Sequence, residues 1–141
     1  MCGIIAINSP RDSSFPVRQA LNSIGHRGPD DHGFFVSKSR DCHLAHVRLS
    51  IIDVSSAGRQ PMQDSTGRYT ISYNGEIYNY VELREKIDQK YGPINWRSKT
   101  DTEVIIEGFA REGTSFLAKL NGIFAFAIYD ELEKKQNHSL Y

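Results

Sequence analysis

A cysteine stands second in the chain, in the stretch MCGIIAI. Chain ends usually fray and offer little burial, yet Gly3 through Ile7 reads as a buried strand, so the thiol sits at the tip of an anchored element. Methionine is commonly trimmed when a small residue follows, and trimming here would make Cys2 the terminal residue. An α-amine has a reference pKa of about 7.7–8.0 and a thiol of about 8.5. The freed amine could accept the proton of its own thiol, placing a nucleophile and a general base on one residue. Taken alone, MCG is a weak signal, and a second-position cysteine is more often inert than catalytic.

Four further stretches carry reactive side chains. In YNGE, the Asn74 side-chain amide and the Gly75 N–H are two donors that could hold an oxyanion, and glycine lets a substrate approach closely. The same Asn-Gly pair is also a strong signal for a type I′ hairpin turn. In HVRLSIID, Arg48 interrupts an apolar run. An inward arginine must be paired or bind something, and its fork suits a carboxylate. A salt bridge at a sheet edge is the competing reading. In SKTDTE, Thr100 or Asp101 can cap a helix, while the Asp101 carboxylate could also receive an ammonium group. In HRGPDDHG, His26, Asp30, Asp31 and His32, with His43 and His46 further on, invite a metal. They follow none of the fixed zinc spacings, so no metal is expected and their charges are read as pairing within the loop.

The elements that would position these groups can be traced in order. After the first strand and the turn-rich SPRDSS, Ser13 or Ser14 can cap a helix whose Val17, Ala20, Leu21 and Ile24 share one face, with Gly25 as its stop. HRGPDDHG is read as a polar loop over 26–33. FFVS and CHLAHVRLSIID are read as strands, the second with Leu44, His46 and Arg48 on one face. RYTISYNGEIYN reads as strand, turn and short continuation. Asn79 can cap a helix striped by Tyr80, Leu83, Ile87 and Tyr91. Thr100 to Glu103 has the form of a capping box opening the next helix. IFAFAIYD reads as a strand buried on both faces, followed by the polar ELEKKQNH and then Ser139, Leu140 and Tyr141 as the start of another strand. Short strands joined through turns, with helices between them, predict an α+β fold of antiparallel sheet covered by helices.

The bulk numbers fit one domain. The 141 residues are 39% hydrophobic and 24% charged, with 11 Gly and 5 Pro, enough for a real core. Seventeen basic and 17 acidic side chains leave no net field pointing to nucleic acid or an anionic membrane. No apolar run reaches the length of a membrane span, and the N-terminus lacks the pattern of a signal peptide. Two cysteines, Cys2 and Cys42, are too few for a disulfide scaffold, so the cytoplasm is the expected compartment and Cys42 a buried small hydrophobe.

Together, MCGI, HRGPDDHG, HVRLSIIDVSSAGRQPM, YNGEIYNY, TDTEVI and NGIFAFAIYD resemble the glutamine amidotransferase domain of the class led by an N-terminal cysteine. That class lies within the N-terminal-nucleophile hydrolases, and the likeness is to the glutamine-hydrolysing asparagine synthetase type. The resemblance implies that Cys2 is the nucleophile, that Asn74 and Gly75 hold the oxyanion, and that Arg48 grips the glutamine α-carboxylate. Glu76 and Asp101 would receive its α-ammonium, and backbone along Leu49, Ser50, Ile51 and Ile52 would line the pocket. It also implies a sandwich of antiparallel sheets, glutaminase chemistry through a cysteinyl thioester, and no cofactor in this domain.

In that family the domain continues into more strands and then a synthetase domain using ATP and magnesium. Residues 1–141 are therefore expected to be a partial glutaminase domain, its ammonia passing to a synthetase domain or chain, with a homodimer as one assembly open to it. The rival expectations are a non-catalytic glutamine-binding or partner-docking remnant and a metal-binding protein using the histidines between 26 and 46.

Overall fold

The computed structural model describes residues 2–8 and 16–132. Two three-stranded antiparallel sheets make its centre. In the first, β1 (Gly3–Asn8) and β2 (Asp31–Val36) flank β3 (Cys42–Arg48). In the second, β5 (Tyr69–Ile77) lies between the short β4 (Met62–Gln63) and β6 (Gly122–Asp130). Helix α1 (Val17–Ile24) covers the first sheet, and α2 (Tyr80–Tyr91) and α3 (Asp101–Glu112) cover the second, with the single turn α4 (Thr114–Leu117) beside α3. The fold is α+β, as the order of elements predicts.

Side-chain alternation along β3 and β5 explains the layering. Ala45 and Val47 of β3 pack on Leu21 of α1, while Cys42 and Leu44 meet Ala127 of β6 on the other face. From β5, Ile71, Tyr73 and Ile77 join Leu83 and Ile87 of α2 and Val104, Ile105 and Phe116 in the largest core cluster. The opposite face carries small polar residues, and Ser72 Oγ donates to Ala45 O at 3.0 Å, tying the two sheets together. Burying β3 on both faces leaves all seven of its residues buried; Leu44, His46 and Arg48 do share one side of it.

Several local expectations are corrected. Gly25 does cap the end of α1, but with a right-handed φ of −58° rather than a left-handed one, and the chain winds on through a 3₁₀ turn over Gly25–Arg27. The polar loop is shorter than 26–33, because Asp31 to Gly33 pair with β3. Asn74 and Gly75 form no hairpin turn. A type I′ turn needs positive φ at both central residues, and among the described residues Arg40 is the one non-glycine with that property. β5 instead runs straight through them. Strand β6 is only half buried, with Ile123 74% exposed, rather than buried on both faces. Asn79 precedes α2 without capping it; its amide donates to Lys119 O and accepts from Asn121 N–H. The candidate caps Ser13 and Ser14, and the stretch from 133 to 141, lie outside the described residues.

Candidate active site

Cys2, Arg48, Asn74, Gly75, Glu76 and Asp101 line one cavity of about 570 Å³. Leu49, Ile51 and Ile52 line it as well, but Ser50 does not; its N–H is taken by Asp30 Oδ2 at 2.7 Å, which turns that peptide away. The thiol is fixed against the chain leaving β3. Leu49 N–H donates to Cys2 Sγ at 3.3 Å, and Leu49 O lies 3.6 Å from the same sulfur. Arg27 Nε donates to Cys2 O at 3.1 Å, holding the residue from the α1 side. Cys2 is a partly exposed free thiol. Cys42 is also free, opposite Asn8 at the far end of β1, and burial pushes its thiol up to about 12.

The edge of β5 shows how the donors arise. Backbone groups of an antiparallel strand alternate between its two neighbours. Tyr78 N–H donates to Asn121 O, on the β6 side, so the odd-numbered residues Tyr73, Gly75 and Ile77 point their N–H groups the other way. On that side β4 reaches only as far as Ile71. Tyr73 N–H is taken by Gln60 Oε1 at 2.7 Å and Ile77 N–H by Asp101 Oδ2 at 3.0 Å. Gly75 N–H lies between them and faces the gap. The next side chain back, Asn74, lines the same cavity. Glycine is required at 75 because β6 closes against it: a Cβ would come within 2.6 Å of Phe124 Cα and closer still to Ile123 O.

Charge is arranged around this gap. Arg48 is 7% exposed and, among the described residues, meets no carboxylate at salt-bridge distance. Its Nη1 donates to Ser55 O at 2.8 Å and its Nη2 to Asp53 O. The sheet-edge salt bridge is thus absent, and a cation is held by neutral carbonyls beside a cavity. Gly58 makes room for it, since a Cβ there would lie 3.0 Å from Arg48 Cζ. Asp101 is 4% exposed, and its Oδ2 also accepts the Tyr73 hydroxyl at 2.6 Å. Thr100 is the residue that caps α3, accepting from Glu103 N–H at 3.4 Å. The capping box is half made, because the Glu103 carboxylate reaches past Thr100 to the N–H groups of Arg97 and Ser98. Hydrogen bonds from Ser55, with the Lys99 N–H, hold the Asp53 carboxyl down to about 2, so it stays ionised at the rim.

The family model of the glutamine amidotransferase domain matches residues 1–138. The chain belongs to that family. Among curated relatives, the amidotransferase domain is 37% identical to asparagine synthetase [glutamine-hydrolyzing] 1 of Bacillus subtilis, a match covering all of this chain and 22% of that protein. It is 36% identical to asparagine synthetase B of Escherichia coli, over 92% of the chain and 23% of the relative. It is also 36% identical to the amidase chry2 of Gibberella zeae, over 93% of the chain and 21% of the relative. The chain thus spans less than a quarter of the length of each of these three relatives. Among solved structures, the glutamine phosphoribosylpyrophosphate amidotransferase of Bacillus subtilis superposes with a TM-score of 0.68 at 19% identity, over 92% of this chain and 35% of that one. That likeness concerns the fold.

The residues singled out as metal ligands do not converge in the amidotransferase domain. Asp31 pairs with Arg59 at 2.9 Å, Asp30 holds Ser50, and His43 and His46 point to opposite faces of β3. That Asp31–Arg59 pair joins the start of β2 to the GRQPM segment rather than closing within residues 26–33. Sequence reasoning assigned no role to Gln60, Tyr73, Asp53 or Gly58, all of which line the cavity. Gln60 stood in the quoted GRQPM and Tyr73 in YNGE; only the end of β4 and the alternation of β5 show what they hold.

Proposed function

We propose that this chain hydrolyses the side-chain amide of L-glutamine to glutamate and ammonia through a thioester on Cys2. The observation that carries the reading is the Gly75 N–H, without an acceptor among the described residues and set between two satisfied neighbours in the cavity that Cys2 and Arg48 also line. A free amino acid needs one cation and at least one anion. Arg48 offers a fork to the α-carboxylate, and Glu76 and Asp101, which line the same cavity, receive the α-ammonium.

With Met1 removed, the Cys2 amine takes the thiol proton and the thiolate attacks the amide carbon. A C–S bond forms while the carbonyl oxygen takes up negative charge, met by the Asn74 amide and the Gly75 N–H. The amine passes its proton to nitrogen as the C–N bond breaks, releasing ammonia. Water then attacks the thioester, its proton returning through the same amine, and glutamate leaves with the thiol restored. Each step balances with the chain's own groups and water, so we assign no cofactor to this domain. ATP and magnesium belong to a synthetase domain or chain that accepts the ammonia.

A reducing cytoplasmic setting suits two free thiols, and no helix among the described residues is long and apolar enough to cross a membrane. A second copy of the chain remains a further candidate partner. The reading is tested by assaying ammonia release from L-glutamine. Native chain should release it, and Cys2→Ala should not while still binding glutamine; release by Cys2→Ala would overturn the reading.

A further inference from the structure

Tyr73 lies past the end of β4, where an edge strand would ordinarily leave its N–H and C=O groups open to another strand. Two buried side chains take them instead. Gln60 Oε1 accepts the Tyr73 N–H at 2.7 Å, and His46 Nε2 donates to Tyr73 O at 3.0 Å. A carbonyl only accepts, so the proton of the neutral imidazole is on Nε2; Nδ1 is buried without a partner. Gln60 continues to α3, its Nε2 donating to Thr102 Oγ1 at 3.2 Å. Gln60 is 6% exposed and His46 fully buried.

The choice of side chains over a strand has a consequence two residues on. Had β4 run further along β5, its backbone would have satisfied Tyr73 and then, at the next position of the same parity, the Gly75 N–H as well. Side-chain pairing is local. It satisfies Tyr73 and stops, so the donor at Gly75 stays available while the two peptides on either side of the Tyr73 Cα are each held by one side chain.

We propose that Gln60 and His46 are positioning residues that clamp the Tyr73 backbone on both sides of its Cα and thereby aim the Asn74 and Gly75 donors at the developing oxyanion. The inference rests on the glutaminase reading above. Neither side chain needs to touch the substrate. A small misplacement of such donors costs rate more than binding, on the order of 10²-fold for about 1 Å, the lower end of the roughly 10²–10³ expected for removing a donor outright.

The test is steady-state glutaminase kinetics on the full chain with Gln60→Met, His46→Phe and His46→Gln, alongside glutamine binding and thermal melting of each. Gln60→Met and His46→Phe should lose roughly 10- to 100-fold in kcat with KM within about threefold of native. His46→Gln, which keeps an N–H donor, should recover most of that loss. Unchanged kcat in Gln60→Met, a loss confined to KM, or His46→Gln as slow as His46→Phe would overturn the proposal. Should His46→Phe fail to fold, Gln60→Met and His46→Gln decide. A native chain that releases no ammonia overturns the glutaminase reading and this proposal together; an active native chain with unaffected variants overturns the proposal alone.

Discussion

The Tyr73 hydroxyl donates to Asp101 Oδ2 across 2.6 Å, in a site where the tyrosine is 3% and the aspartate 4% exposed. That bond joins the strand bearing the proposed oxyanion donors to the helix start bearing the proposed ammonium acceptor, so two halves of the candidate site share one support. Burial, with the Asp101 charge next to it, pushes the Tyr73 phenol far above its ordinary range and keeps it a donor. Tyr73→Phe keeps the ring in the core and removes only the donor. Asp101 then retains Ile77 N–H and Thr102 N–H alone. Glutamine KM should rise by roughly 3- to 10-fold, matching a hydrogen bond of about 1 kcal/mol, with kcat nearly unchanged in steady-state assays.

Gly58 sets the position of a charge it does not carry. A methyl group there would press on the Arg48 guanidinium, whose other neighbours are the fixed carbonyls of Asp53 and Ser55. Gly58→Ala should weaken the grip on the α-carboxylate, raising KM on the order of 10-fold for about 1.4 kcal/mol lost. Calorimetric titration of L-glutamine into Cys2→Ala, with and without Gly58→Ala, reads this without turnover. Equal affinities would remove Arg48 from the account of binding.

Gly75→Ala should fail in a different way. Its Cβ meets backbone atoms of Ile123 and Phe124 rather than a movable side chain. Forcing the β5–β6 pair apart there should cost about 1–3 kcal/mol of stability, visible as a lower melting temperature, and should lower kcat together with it.

His46 makes stability depend on acid. Burial, reinforced by the Arg48 cation and opposed by the Tyr73 carbonyl and the Asp31 charge, pushes its pKa down to about 4 from an ordinary 6.5. Between those values the unfolded chain holds the extra proton, so stability falls as pH drops from near 6.5 towards 4 and this contribution is complete above that window. The loss should approach about 3 kcal/mol. Denaturant melts of native chain and His46→Gln at a series of pH values should show the native curve falling more steeply across that interval.

The residues of the site were more legible than their geometry. Cys2, Arg48 and Asn74 stood out because each is costly or reactive in an otherwise strand-like run, and all three face one cavity. Asn74-Gly75 was open between turn and strand because local propensity at that dipeptide is set by tertiary pairing: β6 supplies a partner for every residue of β5. The capping box over Thr100 to Glu103 was legible only in its first half, since Arg97 and Ser98 draw the Glu103 carboxylate away. Gln60 was invisible as a support, because nothing in a sequence announces that a strand ends two residues too soon.

The central claim is that Cys2, freed of Met1, is nucleophile and base in one. Intact-mass measurement of the purified chain paired with its ammonia release from L-glutamine tests it most directly. The account predicts a mass lacking Met1 in every active preparation and no ammonia from Cys2→Ala. Full activity from a chain that still carries Met1 would contradict it.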